Sequence, residues 1–144
     1  MSTPIPPSNG LFVDTAGWAG IVLSNSIDYQ TMEAFYKRTI ATNRGLVTTN
    51  YVLTELVALL TARSRIARTQ VIAYINSIRR ISQLSIVHID PTLDGEAWEL
   101  LEQHVDKAWS LVDAASFVVM RHLGLREAFT SDQHFIQAGF GRLP

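Results

Sequence analysis

The sequence predicts an α/β fold built on a largely parallel sheet. Short strand-like segments recur along the chain, at Leu11-Phe12-Val13, Leu46-Val47-Thr48, Leu84 to Ile89 and Glu127 to Thr130. Longer stretches with apolar residues at helical spacing lie between them. This alternation is the pattern of strands joined by helical crossovers, and continuous apolar runs suit strands covered on both faces. Apolar residues make up 47% of the chain and charged residues 17%, so it buries a core rather than staying disordered. Its 144 residues suffice for one domain.

Residues 1 to 8, rich in Pro and Ser, read as a flexible lead-in, leaving residues 9 to 144 as the single domain. Leu11-Phe12-Val13 is the first strand and stops at Asp14; Thr15 then enters a helix weakened by Gly17 and Gly20. Residues 28 to 42 are an amphipathic helix with Met32, Phe35, Tyr36 and Ile40 on one side, closed by Asn43-Arg44-Gly45. After the second strand, Thr49 or Asn50 caps a helix through Val52, Leu56, Leu59 and Leu60. Glu55 interrupts that apolar segment, with Tyr51 and Leu59 four residues to either side, so its face is not plainly solvent. Arg63-Ser-Arg links to a helix over residues 66 to 80.

The third strand ends at Asp90-Pro91, an N-cap followed by a proline suited to the first helical position. The helix from Thr92 to about His104 buries Leu93, Ala97, Leu100 and Leu101, and turns its acids to water. Ser110 and Asp113 have the spacing of a capping box, and Leu111 opens a helix that Gly124 closes. After the fourth strand, Ser131-Asp132 begins a last helical turn before Gly139-Phe-Gly.

With no cysteine in the chain, thiolate catalysis, disulfides and sulfur-ligated zinc are excluded. There is no secretory signal and no run approaching the ~20 apolar residues that span a bilayer, so a cytoplasmic, membrane-free protein is expected. The net charge of -1 hides a segregation: residues 37 to 80 hold eight basic side chains and one acid, Glu55. Residues 81 to 144 hold nine acids and four basic residues. The basic half could face phosphates, although each arginine alone reads as an ordinary solvated position.

Ligands of open parallel sheets bind beyond the carboxyl ends of the strands. Asp14 directly follows the first strand, Asp132 closely follows the fourth, Glu55 lies one to two turns into the helix after the second, and Asp113 opens another helix. Four acids can converge at one edge, where they would repel unless cations joined them. Oxygen ligands without Cys or clustered His select hard ions, Mg²⁺ or Mn²⁺, able to activate a water for attack on phosphorus. Asp113 would then act both as a cap and as a ligand.

Phe12-Val-Asp14-Thr, Thr49-Asn-Tyr-Val-Leu-Thr-Glu55, Asp106-Lys-Ala-Trp-Ser-Leu-Val-Asp113-Ala-Ala-Ser-Phe-Val-Val-Met and Thr130-Ser-Asp132-Gln-His-Phe resemble the PIN-domain family, and within it the VapC-type toxins. The resemblance covers about residues 10 to 142. It implies a three-layer α/β/α sandwich around a central, mainly parallel sheet of four to five strands. It further implies a metal-dependent endoribonuclease, the toxin of a toxin-antitoxin pair, cutting tRNA or rRNA and leaving a 5'-phosphate. A homodimer and a cognate antitoxin are the implied partners. Asp14, Glu55, Asp113 and Asp132 match the family's acidic positions, and Thr15, Asn50 and especially Ser131 are polar neighbours that could order water or phosphate. Val112-Asp113-Ala114 departs from the Thr-Asp-Cys-like segment of many relatives without removing the acid.

Other candidates rank lower. His134 reads as a helix-surface histidine, and His88, His104 and His122 show no ligand spacing. Asp106 and Lys107 read as structural, and Trp18, Trp98 and Trp109 as core or dimer-interface residues. No Gly-rich loop with Lys-Ser/Thr and no G-x-G-x-x-G is present, which argues against an NTPase and a dinucleotide site. A receiver-type domain would need a lysine after a late strand, whereas Lys107 precedes a helix. A PIN-like module that binds RNA or protein without cutting is the alternative function.

Overall fold

Leu11, Phe12 and Val13 form β1 (Leu11–Val13), a fully buried strand at the centre of the sheet. The computed structural model describes residues 9–25, 27–63 and 66–144; the lead-in and the Ser64-Arg65 part of the expected link lie outside them. After β1 the order is α1 (Thr15–Gly20), α2 (Tyr29–Ala41), β2 (Leu46–Thr49), α3 (Asn50–Arg63) and α4 (Arg68–Arg79). Then come β3 (Leu84–Val87), α5 (Pro91–Gln103), α6 (Leu111–Leu123), β4 (Glu127–Phe129), α7 (Gln133–Gln137) and β5 (Gly141–Leu143). The strands lie in the order β3-β2-β1-β4-β5, and every neighbouring pair is parallel.

The chain first winds outward from β1 to β2 and β3, then returns to β4 on the other side of β1. Right-handed crossovers therefore put α1 to α4 on one face and α5 to α7 on the other. Aromatic packing agrees. Phe129 of β4 meets Phe35 and Tyr36 of α2, with ring centroids 5.2 and 6.4 Å away. Phe12, pointing to the opposite face, meets Phe135 of α7, which stacks edge-on against Phe117 of α6 at 5.0 Å. The result is the expected α/β/α sandwich, and its strand order reverses at β1.

Local chemistry sets the element ends. Thr49 rather than Asn50 caps α3, its hydroxyl accepting the Val52 N–H at 3.1 Å. Asp90 caps α5 ahead of Pro91. Gly124 ends α6 in the left-handed region at φ 67. Gly17 is needed for a close approach: a Cβ there would run into the Phe129 carbonyl oxygen and come within 2.7 Å of that ring. The fifth strand, Gly141-Arg142-Leu143, has no strand pattern of its own and forms by pairing with β4.

Two of the basic residues in the first half have structural partners among the described residues. Arg44 lies at the amino end of the sheet, where it donates to the Asn9 carbonyl at 2.7 Å and to Glu127 at 2.8 Å. Lys37 pairs with Glu33 one helical turn away at 2.8 Å.

Candidate active site

Register brings the first two site residues together. Val13 pairs with Phe129, so the next residues, Asp14 and Thr130, emerge side by side where the strand order reverses. Asp14 caps α1, its Oδ1 accepting the Gly17 N–H at 2.8 Å, and its Oδ2 accepts the Thr130 hydroxyl at 2.8 Å. The same Thr130 oxygen accepts the Asp132 N–H at 2.9 Å, so one hydroxyl fixes both ends of the β1/β4 edge. Thr130 is 1% exposed. Sequence reasoning gave the polar role to Ser131 instead; equal offset from the two central strands is the signal that identifies Thr130.

Asp113 occupies the expected capping box of α6. Its N–H donates to the Ser110 hydroxyl, and its Oδ2 accepts the Ser110 N–H, both at 3.0 Å. Asp132 caps α7, accepting the His134 N–H at 2.9 Å. Glu55, on α3, is half-buried, and its side chain makes no hydrogen bond or ion pair among the described residues. All four acids line a single cleft of ≈ 170 Å³ together with Thr15, Ala16, Leu59, Val112 and Ser116. The walls come from both helical layers.

Of the residues named beside the acids, Thr15 lines the cleft, and its buried hydroxyl has no hydrogen-bond partner among the described residues. Asn50 faces elsewhere, accepting the Ile89 N–H at 2.7 Å and tying α3 to the exit of β3. Ser131 stands exposed in the turn between β4 and α7, where its carbonyl accepts from Arg142. His134 is no free surface histidine: its Nδ1 lies 2.8 Å from Asp113 Oδ2 and 3.4 Å from Asp132 Oδ1. Sequence spacing missed it because the contact depends on how α7 docks against α6. Asp106 and Lys107 form an ion pair with each other at 3.4 Å, with Asp106 the more exposed partner. Trp18 and Trp109 are core residues, while Trp98 is half exposed.

The electrostatics match a cation site. Asp14 is 6% exposed, and burial pushes its carboxyl up to about 7. The hydrogen bonds from Gly17 and Thr130 oppose the shift, and the nearby Asp132 and Asp113 charges add to it. A cation would relieve both the desolvation and the repulsion. Donor atoms of Asp113, Asp132 and His134 lie within 4.8 Å of one another, and the Thr15 hydroxyl adds an oxygen in need of a partner. This donor set, mostly oxygen with no sulfur, fits a hard divalent ion.

The family model for the PIN domain matches residues 11–141. Over 131 residues the chain is 38% identical to the 23S rRNA-specific endonuclease VapC20 of Mycobacterium tuberculosis, covering 90% of this chain and 95% of that protein. The crystal structure of VapC20, described as a Sarcin-Ricin loop cleaving toxin, superposes with a TM-score of 0.79 at 32% identity. That superposition spans 91% of this chain and 96% of the other. VapBC2 from Rickettsia felis shares the fold, with a TM-score of 0.61 at 13% identity over 92% of this chain and 96% of that one. Matched along nearly its whole length, the chain belongs to the PIN-domain family, among its VapC-type toxin ribonucleases.

Proposed function

We propose that this protein is the toxin of a toxin-antitoxin pair, a metal-dependent endoribonuclease that hydrolyses phosphodiester bonds in structured RNA. The observation that carries this is the convergence of Asp14, Glu55, Asp113 and Asp132 on one small cleft at the strand-order reversal. These four acids are the residues that would hold Mg²⁺ or Mn²⁺. Bound there, the ion supplies Lewis acidity to the scissile phosphate and offsets the charge that develops on the leaving oxygen.

The chain's own groups prepare that place. Thr130 and the Gly17 N–H orient Asp14. The α6 capping box orients Asp113. Leu59 and Val112 put apolar surface beside the acids, which strengthens the field inside the cleft. Ser131, exposed next to Asp132, would meet a phosphate oxygen of the RNA. Water attacks phosphorus, the bond to the 3' oxygen breaks, and the products carry a 5'-phosphate and a 3'-hydroxyl.

The similarity to a 23S rRNA-specific endonuclease favours a ribosomal RNA loop over a transfer RNA as substrate. A cognate antitoxin restrains the enzyme, which works as a homodimer in the cytoplasm; no helix among the described residues is long and apolar enough to cross a membrane. Incubation of the purified protein with ribosomal and transfer RNAs, in Mn²⁺ or in EDTA, tests the reading. Cleavage in Mn²⁺ that stops in EDTA is expected. Activity that persists in Asp14→Asn would remove the site, and failure to cut any RNA would favour a binding module.

A further inference from the structure

We propose that His134 is a positioning residue that sets the orientation of two ligating carboxylates, Asp113 and Asp132. The inference rests on reading the cleft as a cation site and adds what holds its ligands still. The His134 N–H donates to Asp132 Oδ1 at 2.9 Å, and its ring Nδ1 lies 2.8 Å from Asp113 Oδ2. An ionised carboxylate only accepts, so Nδ1 carries the proton in this contact and the orientation of the ring is set.

Asp113 Oδ2 also accepts the Ser110 N–H at 3.0 Å. It is therefore held from two sides, by its own helix and by α7, which leaves Oδ1 for an ion. Asp132 repeats the arrangement: Oδ1 takes the His134 N–H and lies 3.4 Å from the ring, which leaves Oδ2. A carboxylate tied at one oxygen presents the other in a fixed direction, the usual work of groups that surround metal ligands.

The ring is itself well placed. A helix of five residues does not hold its own shape, but the adjacent Phe135 is fully buried against Phe12 and Phe117 and anchors α7. Donor-atom distances within 4.8 Å would also admit the imidazole as a direct ligand. A protonated Nδ1 already donating to a carboxylate cannot coordinate as well, and the free Nε2 lone pair points away from the Asp113 oxygen that the ring contacts, which favours positioning and leaves Nε2 as the only route to direct ligation.

The test is Mn²⁺ binding to the full-length apoprotein, read by electron paramagnetic resonance and calorimetry for wild type, His134→Ala and His134→Asn. The asparagine side chain offers an amide N–H near the position of Nδ1. His134→Ala is expected to lose about 10- to 100-fold in Mn²⁺ affinity, the scale for groups that support metal ligands, and His134→Asn to recover most of it. Electron spin-echo modulation of Mn²⁺ on the wild type is expected to show no directly coordinated nitrogen.

Unchanged affinity in His134→Ala, with Mn²⁺ still bound by the wild type, would overturn this inference and leave the proposed function standing. A directly coordinated nitrogen would overturn it by making the ring a ligand. A wild type that binds no Mn²⁺ would overturn both readings. Should His134→Ala fail to fold by circular dichroism, His134→Asn and the nitrogen signal decide: affinity near wild type with no nitrogen supports positioning, and weak binding overturns it.

Discussion

Asp14→Asn removes a charge that the folded chain holds in a poor place for one. The carboxyl is pushed from 3.8 up to about 7, chiefly because burial strips its water. An acid whose pKa is raised by folding favours the protonated, folded state. Its stabilising contribution is full below 3.8, falls as pH rises, and is gone above about 7. At about 1.36 kcal/mol per pH unit, the interval from 3.8 to about 7 amounts to about 4 kcal/mol in the metal-free protein. Asparagine keeps the shape and can still accept the Gly17 N–H, but has no charge to desolvate. The variant should match wild type within about 1 kcal/mol near pH 4 and exceed it by up to about 4 kcal/mol near pH 8. Urea unfolding in EDTA across that range reads the difference. Adding Mn²⁺ near pH 8 at about 100 times its Kd stabilises wild type by about 2.7 kcal/mol and narrows the gap, because the variant lacks the ligand. Parallel stability profiles for the two proteins in EDTA would refute the burial argument. Equal stabilisation of both by Mn²⁺ would refute the place given to Asp14.

Glu55→Gln should lower RNA cleavage at least about a hundredfold, the scale of a lost electrostatic contact at a reacting centre, while leaving the unfolding midpoint nearly unchanged. Gly17→Ala drives a methyl group into the Phe129 backbone. It should cost roughly 3 kcal/mol or more by urea unfolding, since the obstacle is main chain rather than a movable side chain. Ser110→Ala removes the hydroxyl that accepts the Asp113 N–H. A loss of about 1 kcal/mol in the same assay is expected, along with weaker Mn²⁺ binding, because the cap and the proposed ligand are one residue.

The parts of this fold that depend on neighbours in sequence were legible in it. Thr49, Asp90-Pro91, Ser110 with Asp113, and Gly124 act within one helical turn, and each was found at the element end its chemistry implies. The central strands were legible because covering both faces leaves them almost wholly apolar. What stayed hidden depends on distant pairing. β5 consists of a glycine, an arginine and a leucine, and only β4 makes it a strand. Thr130 gains its role from a residue 116 positions away, and His134 from one 21 positions away. Charge counting could not place Arg44: it grouped that residue with others that could face phosphates, yet parallel strands carry it to the opposite end of the sheet.

Because the carboxylates come from four separate passes of the chain, they are assembled late. A ribosome that has made α3 and α6 has produced Glu55 and Asp113, but not Thr130 to hold Asp14 or Asp132 to complete the set. β4 also forms one flank of β1, and Asp132, which lines the cleft, follows that strand. A chain cut short before Asp132 would lack one of the proposed ligands, and synthesis itself would delay the hazard until that residue is made.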